Sequence, residues 1–132
     1  LILIKPITYM NLSGKAVNYW LQAEKIPVTQ LLVITDDIAL PFGTLRMKGK
    51  GSDGGHNGLK DIQALLNTQE YARLRFGVGA DFGKGKQADY VLGTWKPDED
   101  KALPERIDTA SKAVKSFVFD GLAMAMTHWN NK

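Results

Sequence analysis

Two short stretches of this chain gather side chains that can do chemistry. Asp36 and Asp37 end the apolar run Leu31-Leu32-Val33-Ile34, and the loop Gly49-Lys50-Gly51-Ser52-Asp53-Gly54-Gly55-His56-Asn57-Gly58 follows soon after. The glycines free the backbone for positive φ and let another molecule approach the main chain closely. Water attacking an ester or amide needs a general base, a carboxylate to orient that base, and amide donors for the developing oxyanion. Asp36, Asn11 and Asn57 suit the last two roles, and His56 is the local candidate for the first. The plainer readings are a solvated strand end for Asp36 and a loop histidine bonded to backbone for His56. Adjacent strand residues point to opposite faces, so only one of Asp36 and Asp37 enters a given site.

Other chemistries fit poorly. The chain has no cysteine, which removes disulfides, thiol nucleophiles and Cys-ligated zinc. Ser13 lies in Asn-Leu-Ser-Gly, which is not a nucleophile elbow. Gly49-x-Gly51-x-x-Gly54 matches the dinucleotide fingerprint in letters only, because a helix should open inside it and Gly55 to Gly58 still reads as loop. Glu70 is only tolerably placed for a ribose contact, and no Walker A sequence is present. His56 and His128 are the only histidines, and neither has a second ligand at metal spacing.

These residues need a scaffold, and the pattern supplies one. Leu1-Ile2-Leu3-Ile4 reads as a buried strand, stopped by Lys5-Pro6. Asn11 or Ser13 is expected to cap a helix from about Gly14 to Glu24, in which Ala16, Val17, Trp20 and Leu21 fall at helical spacing. Leu31 to Ile34 suits a strand covered on both faces. Leu45 to Lys48 alternates apolar with basic and reads as a short strand, and Gly58 to Leu66 as a helix with Leu59, Ile62, Leu65 and Leu66 on one face. Arg73 to Val78 is a strand with two arginines on one side, Asp81 to Lys86 a loop, and Tyr90 to Leu92 a short apolar element. A long helix from about Asp98 to Asp120 holds Pro104 early or breaks there, and Gly121 ends it in the left-handed conformation before a last helical piece, Leu122 to Trp129. Strands alternating with helices predict an α/β fold: a single domain, residues 1–132, with a twisted mixed (largely parallel) sheet and helices on both faces.

At 132 residues, 44% hydrophobic and 23% charged, the chain has an ordinary globular composition. No run is long enough for a membrane helix, and the absence of cysteine fits a reducing cytoplasm. The net charge is +3, but the segment Gly43–Lys86 holds eight basic and four acidic residues, a local +4 against −1 elsewhere. The positive field therefore surrounds the glycine loop and suits an anionic ligand such as nucleic acid.

Several motifs now align with a known family. Lys5-Pro6-Ile7-Thr8-Tyr9-Met10-Asn11-Leu12-Ser13-Gly14, Asp36 through Pro41, Gly54-Gly55-His56-Asn57-Gly58-Leu59-Lys60, Arg73 through Gly79 and Tyr90-Val91-Leu92-Gly93 resemble the bacterial peptidyl-tRNA hydrolases. The resemblance covers roughly Leu1 to Trp95 with specific motifs and the C-terminal helices in pattern only. It implies cleavage of the ester between a peptide and the 3′-terminal ribose of tRNA, with no cofactor or metal; a cytoplasmic monomer is the accompanying expectation. It also implies that a histidine acts as general base on water while the aspartate at Asp36 holds it in its basic form. The asparagines at Asn11 and Asn57 bind substrate and help place the water or oxyanion. The aromatic at Tyr9 lines the same pocket, with His56 beside it. Lys48 and Arg75, with Arg46 nearby, match basic residues that grip tRNA phosphate, which positions an RNA without reading its sequence.

The chain departs from the family at one point. The family's general-base histidine and a further asparagine precede the position of Leu1. The chain also starts inside an apparent strand without methionine, so a fragment lacking the N-terminal segment is expected, inactive by itself. Thr35 and Asp53 replace residues that are often histidine in the family, a tolerable variation. The rival expectation is a non-catalytic RNA-binding relative that uses the same basic surface. Joint retention of Asn11, Asp36 and Asn57 favours the enzyme, because a pure binding module needs no such set.

Overall fold

Helical spacing of apolar residues builds the first part of the fold in the computed structural model, which describes residues 1–132. Helix α1 (Ser13–Ala23) buries Val17 and Leu21, and helix α2 (Asn57–Leu66) buries Leu59 and Ile62. These four side chains and Tyr71 form one core cluster, against which Ile26, Val28, Leu31, Val33 and Leu66 pack. Burial of each large aliphatic side chain contributes roughly 1.5–3 kcal/mol. Asn67 closes α2 in the left-handed conformation at φ 54° and ψ 37°, which asparagine tolerates better than most residues.

The start of α1 differs from expectation. Neither Asn11 nor Ser13 caps it: Met10–Leu12 form a 3₁₀ turn, the capping position is Leu12, and no side chain there accepts a bond. Instead the Gly14 amide donates to Asp61 Oδ2 on α2 at 2.7 Å. Ser13 Oγ turns back to the Met10 carbonyl at 2.7 Å. A carboxylate from a packed neighbour thus satisfies a first-turn donor that local sequence usually satisfies.

Three strands, β1 (Leu32–Asp37), β2 (Leu45–Lys48) and β3 (Ala72–Gly77), form a mixed sheet in the order β1-β3-β2, so the fold is α/β as predicted. The central strand β3 is the most buried, with Arg73 and Leu74 fully covered. Leu1–Ile4 is not a strand. It pairs with none of the three, and its side chains are 83, 50, 77 and 40% exposed. A β-prone run becomes a strand only when a partner satisfies its backbone, and propensity alone does not supply one.

By its contacts the chain divides into two compact units, Leu1–Val33 with Lys48–Arg73, and Ile34–Met47 with Leu74–Lys132. The second carries the short helix α3 (Gln87–Val91), which is the form taken by the expected apolar element, and then α4 (Pro97–Asp120) and α5 (Leu122–Trp129). Pro97 sits in the first turn of α4, where its missing N–H costs nothing, and Glu99 accepts the Lys96 amide at 3.0 Å. Asp98, Glu99 and Asp100 complement the positive end of the helix dipole. Helix α4 runs through Pro104 without dividing. It ends at Gly121, whose φ 88° and ψ 170° are not the expected left-handed helical values. That extended, positive-φ geometry is nearly exclusive to glycine and lets α5 restart at once.

The edge strand β2 is paired from α5's end. Asn130 Oδ1 accepts the Met47 amide at 2.5 Å, its Nδ2 donates to the Met47 carbonyl at 3.0 Å, and the Asn131 amide donates to the Leu45 carbonyl at 2.8 Å. One side-chain amide here imitates a neighbouring strand and covers an otherwise open edge. Arg106 reinforces the same region by donating to the carbonyls of Gly43 and Lys132 at 3.1 and 2.5 Å. Its guanidinium also holds the exposed Glu105 carboxyl well down, at about 2.

Gly14 exposes the tightest point of the α1–α2 packing. A Cβ there would lie 2.4 Å from the Asp61 carbonyl oxygen, a backbone atom with no cheap way to move. Gly14→Ala is expected to destabilise the protein by about 1–3 kcal/mol through overpacking. The shift of the urea unfolding midpoint measures it.

Candidate functional site

In the first unit, α2 organises the site residues. His56 takes the N-cap position at φ −74° and ψ 119°, and its Nδ1 accepts the amides of Gly58 at 3.1 Å and Leu59 at 3.3 Å. An Nδ1 that accepts hydrogen bonds assigns the proton of the neutral ring to Nε2. His56 therefore caps α2 through its ring. Its Nδ1 is thus bonded to backbone. Asn57 follows as the first residue of α2 and is exposed.

The loop before His56 is folded on itself. Asp53 Oδ1 accepts the Gly55 amide at 2.8 Å, and the Asp53 carbonyl accepts the His56 amide at 3.0 Å. Gly54 and Gly55 stand at φ 60° and 85°, which this tight Asx-type turn requires. Asp53 is thus a turn residue.

Asn11 reaches the same end of α2 through its neighbour. A Cβ on Gly58 would lie 2.7 Å from Met10 Sδ, so the Met10–Leu12 turn rests directly on the first turn of α2. The Gly14–Asp61 hydrogen bond fastens the other side of that turn. Asn11 and Asn57 are consequently held by adjoining segments, both amides exposed, with Tyr9 82% exposed just before them. Sequence reasoning assigned no role to Met10, Gly58 or Asp61 in this arrangement; the glycine at Gly58, directly after Asn57, was the available signal.

In the second unit the two aspartates end β1. Asp37 pairs with Arg75 at 3.4 Å, and its other oxygen accepts the Ala39 amide at 2.8 Å. Their side chains are only 12 and 18% exposed, so Arg75 is a partly sequestered, paired cation. Asp36 is half-buried at the end of β1. Arg46 is half-buried and donates to Asn131 Oδ1 at 3.2 Å. Lys48, which belongs to the first unit, stands exposed at the end of β2. No group of three or more acidic or histidine side chains is placed to hold a metal ion, and no helix is long and apolar enough to cross a membrane.

Arg73 is the residue the sequence pattern underrated. It shares a face of β3 with Arg75, yet it is fully buried and lies 4.1 Å from the centre of the Tyr71 ring. Its central position in the sheet is what converts an expected surface arginine into an internal one.

Comparison with known proteins places this chain in one class. The family model described as peptidyl-tRNA hydrolase matches residues 1–132. The chain is 61% identical to the peptidyl-tRNA hydrolase of Parabacteroides distasonis over 132 residues, and 58% identical to that of Phocaeicola vulgatus. In both cases all of this chain is matched, and 71% of the relative. The crystal structure of peptidyl-tRNA hydrolase from Acinetobacter baumannii superposes with a TM-score of 0.85 at 34% identity, covering 95% of this chain and 63% of that one. The chain belongs to the peptidyl-tRNA hydrolase family. It spans less than two thirds of the Acinetobacter chain.

The cap geometry makes a discriminating test. His56→Ala should destabilise the protein by about 0.5–2 kcal/mol, whereas His56→Asn, which keeps an acceptor suited to capping, should recover most of the loss. Denaturant unfolding of the three proteins measures both effects.

Proposed function

We propose that the protein hydrolyses the ester between a peptide and the 3′-terminal ribose of tRNA. The observation that supports this reading is the Met10–Leu12 turn, which carries Asn11, resting through Met10 on Gly58 in the first turn of α2, the helix that Asn57 opens, within a chain of this family. Two exposed side-chain amides at the positive end of a helix suit an ester carbonyl as it gains negative charge. Water adds to that carbonyl, the tetrahedral oxyanion takes hydrogen bonds from amide donors, and collapse expels the ribose hydroxyl. Asn11 and Asn57 bind the substrate and help stabilise this intermediate, with Tyr9 and His56 lining the same pocket.

The base that removes the water proton is, in this proposal, a histidine outside these 132 residues. His56 Nδ1 is committed to the α2 cap, and His128 is an exposed residue of the last turn of α5. Asp36 orients that base by accepting its second N–H, while Asp37 is already engaged by Arg75. Lys48 and Arg46 hold tRNA phosphates. Arg75 contributes to the same field with its charge partly offset by Asp37.

An N-blocked aminoacyl-tRNA tests the assignment. A form completed to the length of the relatives should turn it over, and the 132-residue chain should be slower by about 10²-fold or more, the usual worth of a positioned base. Equal turnover by the 132 residues would overturn the assignment of the base, and none by the completed form would overturn the function.

The phosphate role of Lys48 has its own readout. Lys48→Ala should weaken tRNA binding for all sequences alike and reduce the salt slope of the affinity by about 1. An unchanged slope would remove Lys48 from the interface.

A further inference from the structure

The most buried charge in the first unit lies behind the glycine loop and has no role in the reaction described above. Arg73 is 0% exposed. One terminal nitrogen donates to the carbonyls of Gly51 at 3.0 Å and Ser52 at 3.3 Å. The other donates to those of Gln69 at 2.6 Å and Tyr71 at 3.1 Å. The guanidinium also lies over the Tyr71 ring. A buried cation is tolerated only when its donors are well satisfied. Here the planar fork spans two separate pieces of backbone, the glycine loop and the segment entering β3. A lysine ammonium, a point charge on a flexible stem, does not reproduce that span.

We propose that Arg73 is a positioning residue for the site, fixing the Gly49–His56 loop and through it the cap that aims Asn57. The connection is continuous and short. Arg73 holds the carbonyls of Gly51 and Ser52, and Asp53 comes next in the chain. Asp53 then fixes Gly55 and His56 through its carboxylate and its carbonyl. His56 in turn caps α2 over Gly58 and Leu59, on either side of which stand Asn57 and the core. The loop needs such an anchor because its glycines leave it with the largest backbone entropy to lose. The Gly51 amide adds a further tie, to the Gln69 carbonyl at 3.3 Å, on the strand-entry side that Arg73 also binds.

The functional half of this inference rests on the proposed hydrolase reading, whereas the anchoring half does not. Arg73→Lys keeps the charge and removes the fork. Amide exchange by NMR should accelerate about tenfold or more at Gly55, Gly58 and Leu59, while Ile62 in α2 and Leu74 in β3 stay near their original rates. In the completed form, kcat should fall about tenfold or more with KM little changed, because misplacing a positioned group costs rate more than ground-state binding. A role confined to overall stability would instead raise exchange at Ile62 and Leu74 together with the loop, and that result overturns the proposal. So does accelerated loop exchange with an unchanged kcat.

If Arg73→Lys fails to fold, Gly51→Ala carries the test. Its φ of 148° strains a side chain, but the new Cβ meets nothing within 4 Å, so the loop is disturbed without a clash. The same pattern of exchange and rate is expected. Failure of the unmodified completed form to hydrolyse the substrate would overturn the hydrolase reading alone. The exchange rates would then still decide whether Arg73 holds the loop.

Discussion

The hydrogen bond from the Gly14 amide to the Asp61 carboxylate is the contact on which the first unit depends. It is charge-assisted and partly buried, a class worth about 1.5–3 kcal/mol. It exists only because Gly14 has no side chain to hold the helices apart. With α1 pinned to α2 at that point, the 3₁₀ turn before α1, which carries Asn11, lands through Met10 on Gly58. Two glycines and one carboxylate thus convert ordinary amphipathic packing into a defined seating of the Met10–Leu12 turn on α2.

The glycine loop obeys a different rule. Its conformational freedom is useful for a site only after it has been removed, and the removal is done by groups that touch no ligand. Asp53 closes the turn, His56 caps the helix, and the Arg73 fork grips the carbonyls behind. Each bond is modest alone, but a loop held at several points along its length has little freedom left. In the second unit the comparable device is the Asn130 amide, which takes both polar groups of Met47 and so keeps the basic edge strand paired.

The elements were largely legible because their signals are local. Helical spacing of Val17 with Leu21 and of Leu59 with Ile62 marked α1 and α2. The alternation Leu45-Arg46-Met47-Lys48 marked β2 to the residue, and Asp98 to Asp120 marked α4 within one residue. The errors came where a partner decides. Leu1–Ile4 has the composition of a buried strand, yet it joins none of the three strands and is exposed. The cap of α1 was sought in Asn11 and Ser13, yet it comes from Asp61, remote in sequence. Gly121 was recognised as the end of α4, although its backbone takes an extended positive-φ form that the residue type alone does not distinguish from the left-handed one.

The sequence by itself determined which chemical groups are available and in which kind of element each stands. Asn11 and Asn57, the aspartate pair, the lone loop histidine and the basic segment were all visible in residue type and order. Opposite faces for Asp36 and Asp37 are what strand alternation implies. Tertiary structure decided how each group is spent. Arg75 closes on Asp37, His56 gives its acceptor nitrogen to two backbone amides, and Arg73 turns inward beneath the loop it holds. The reason is physical: periodicity and propensity act over a few neighbouring residues. The state of a carboxylate, an imidazole or a guanidinium is set by whichever group folding brings within hydrogen-bonding distance.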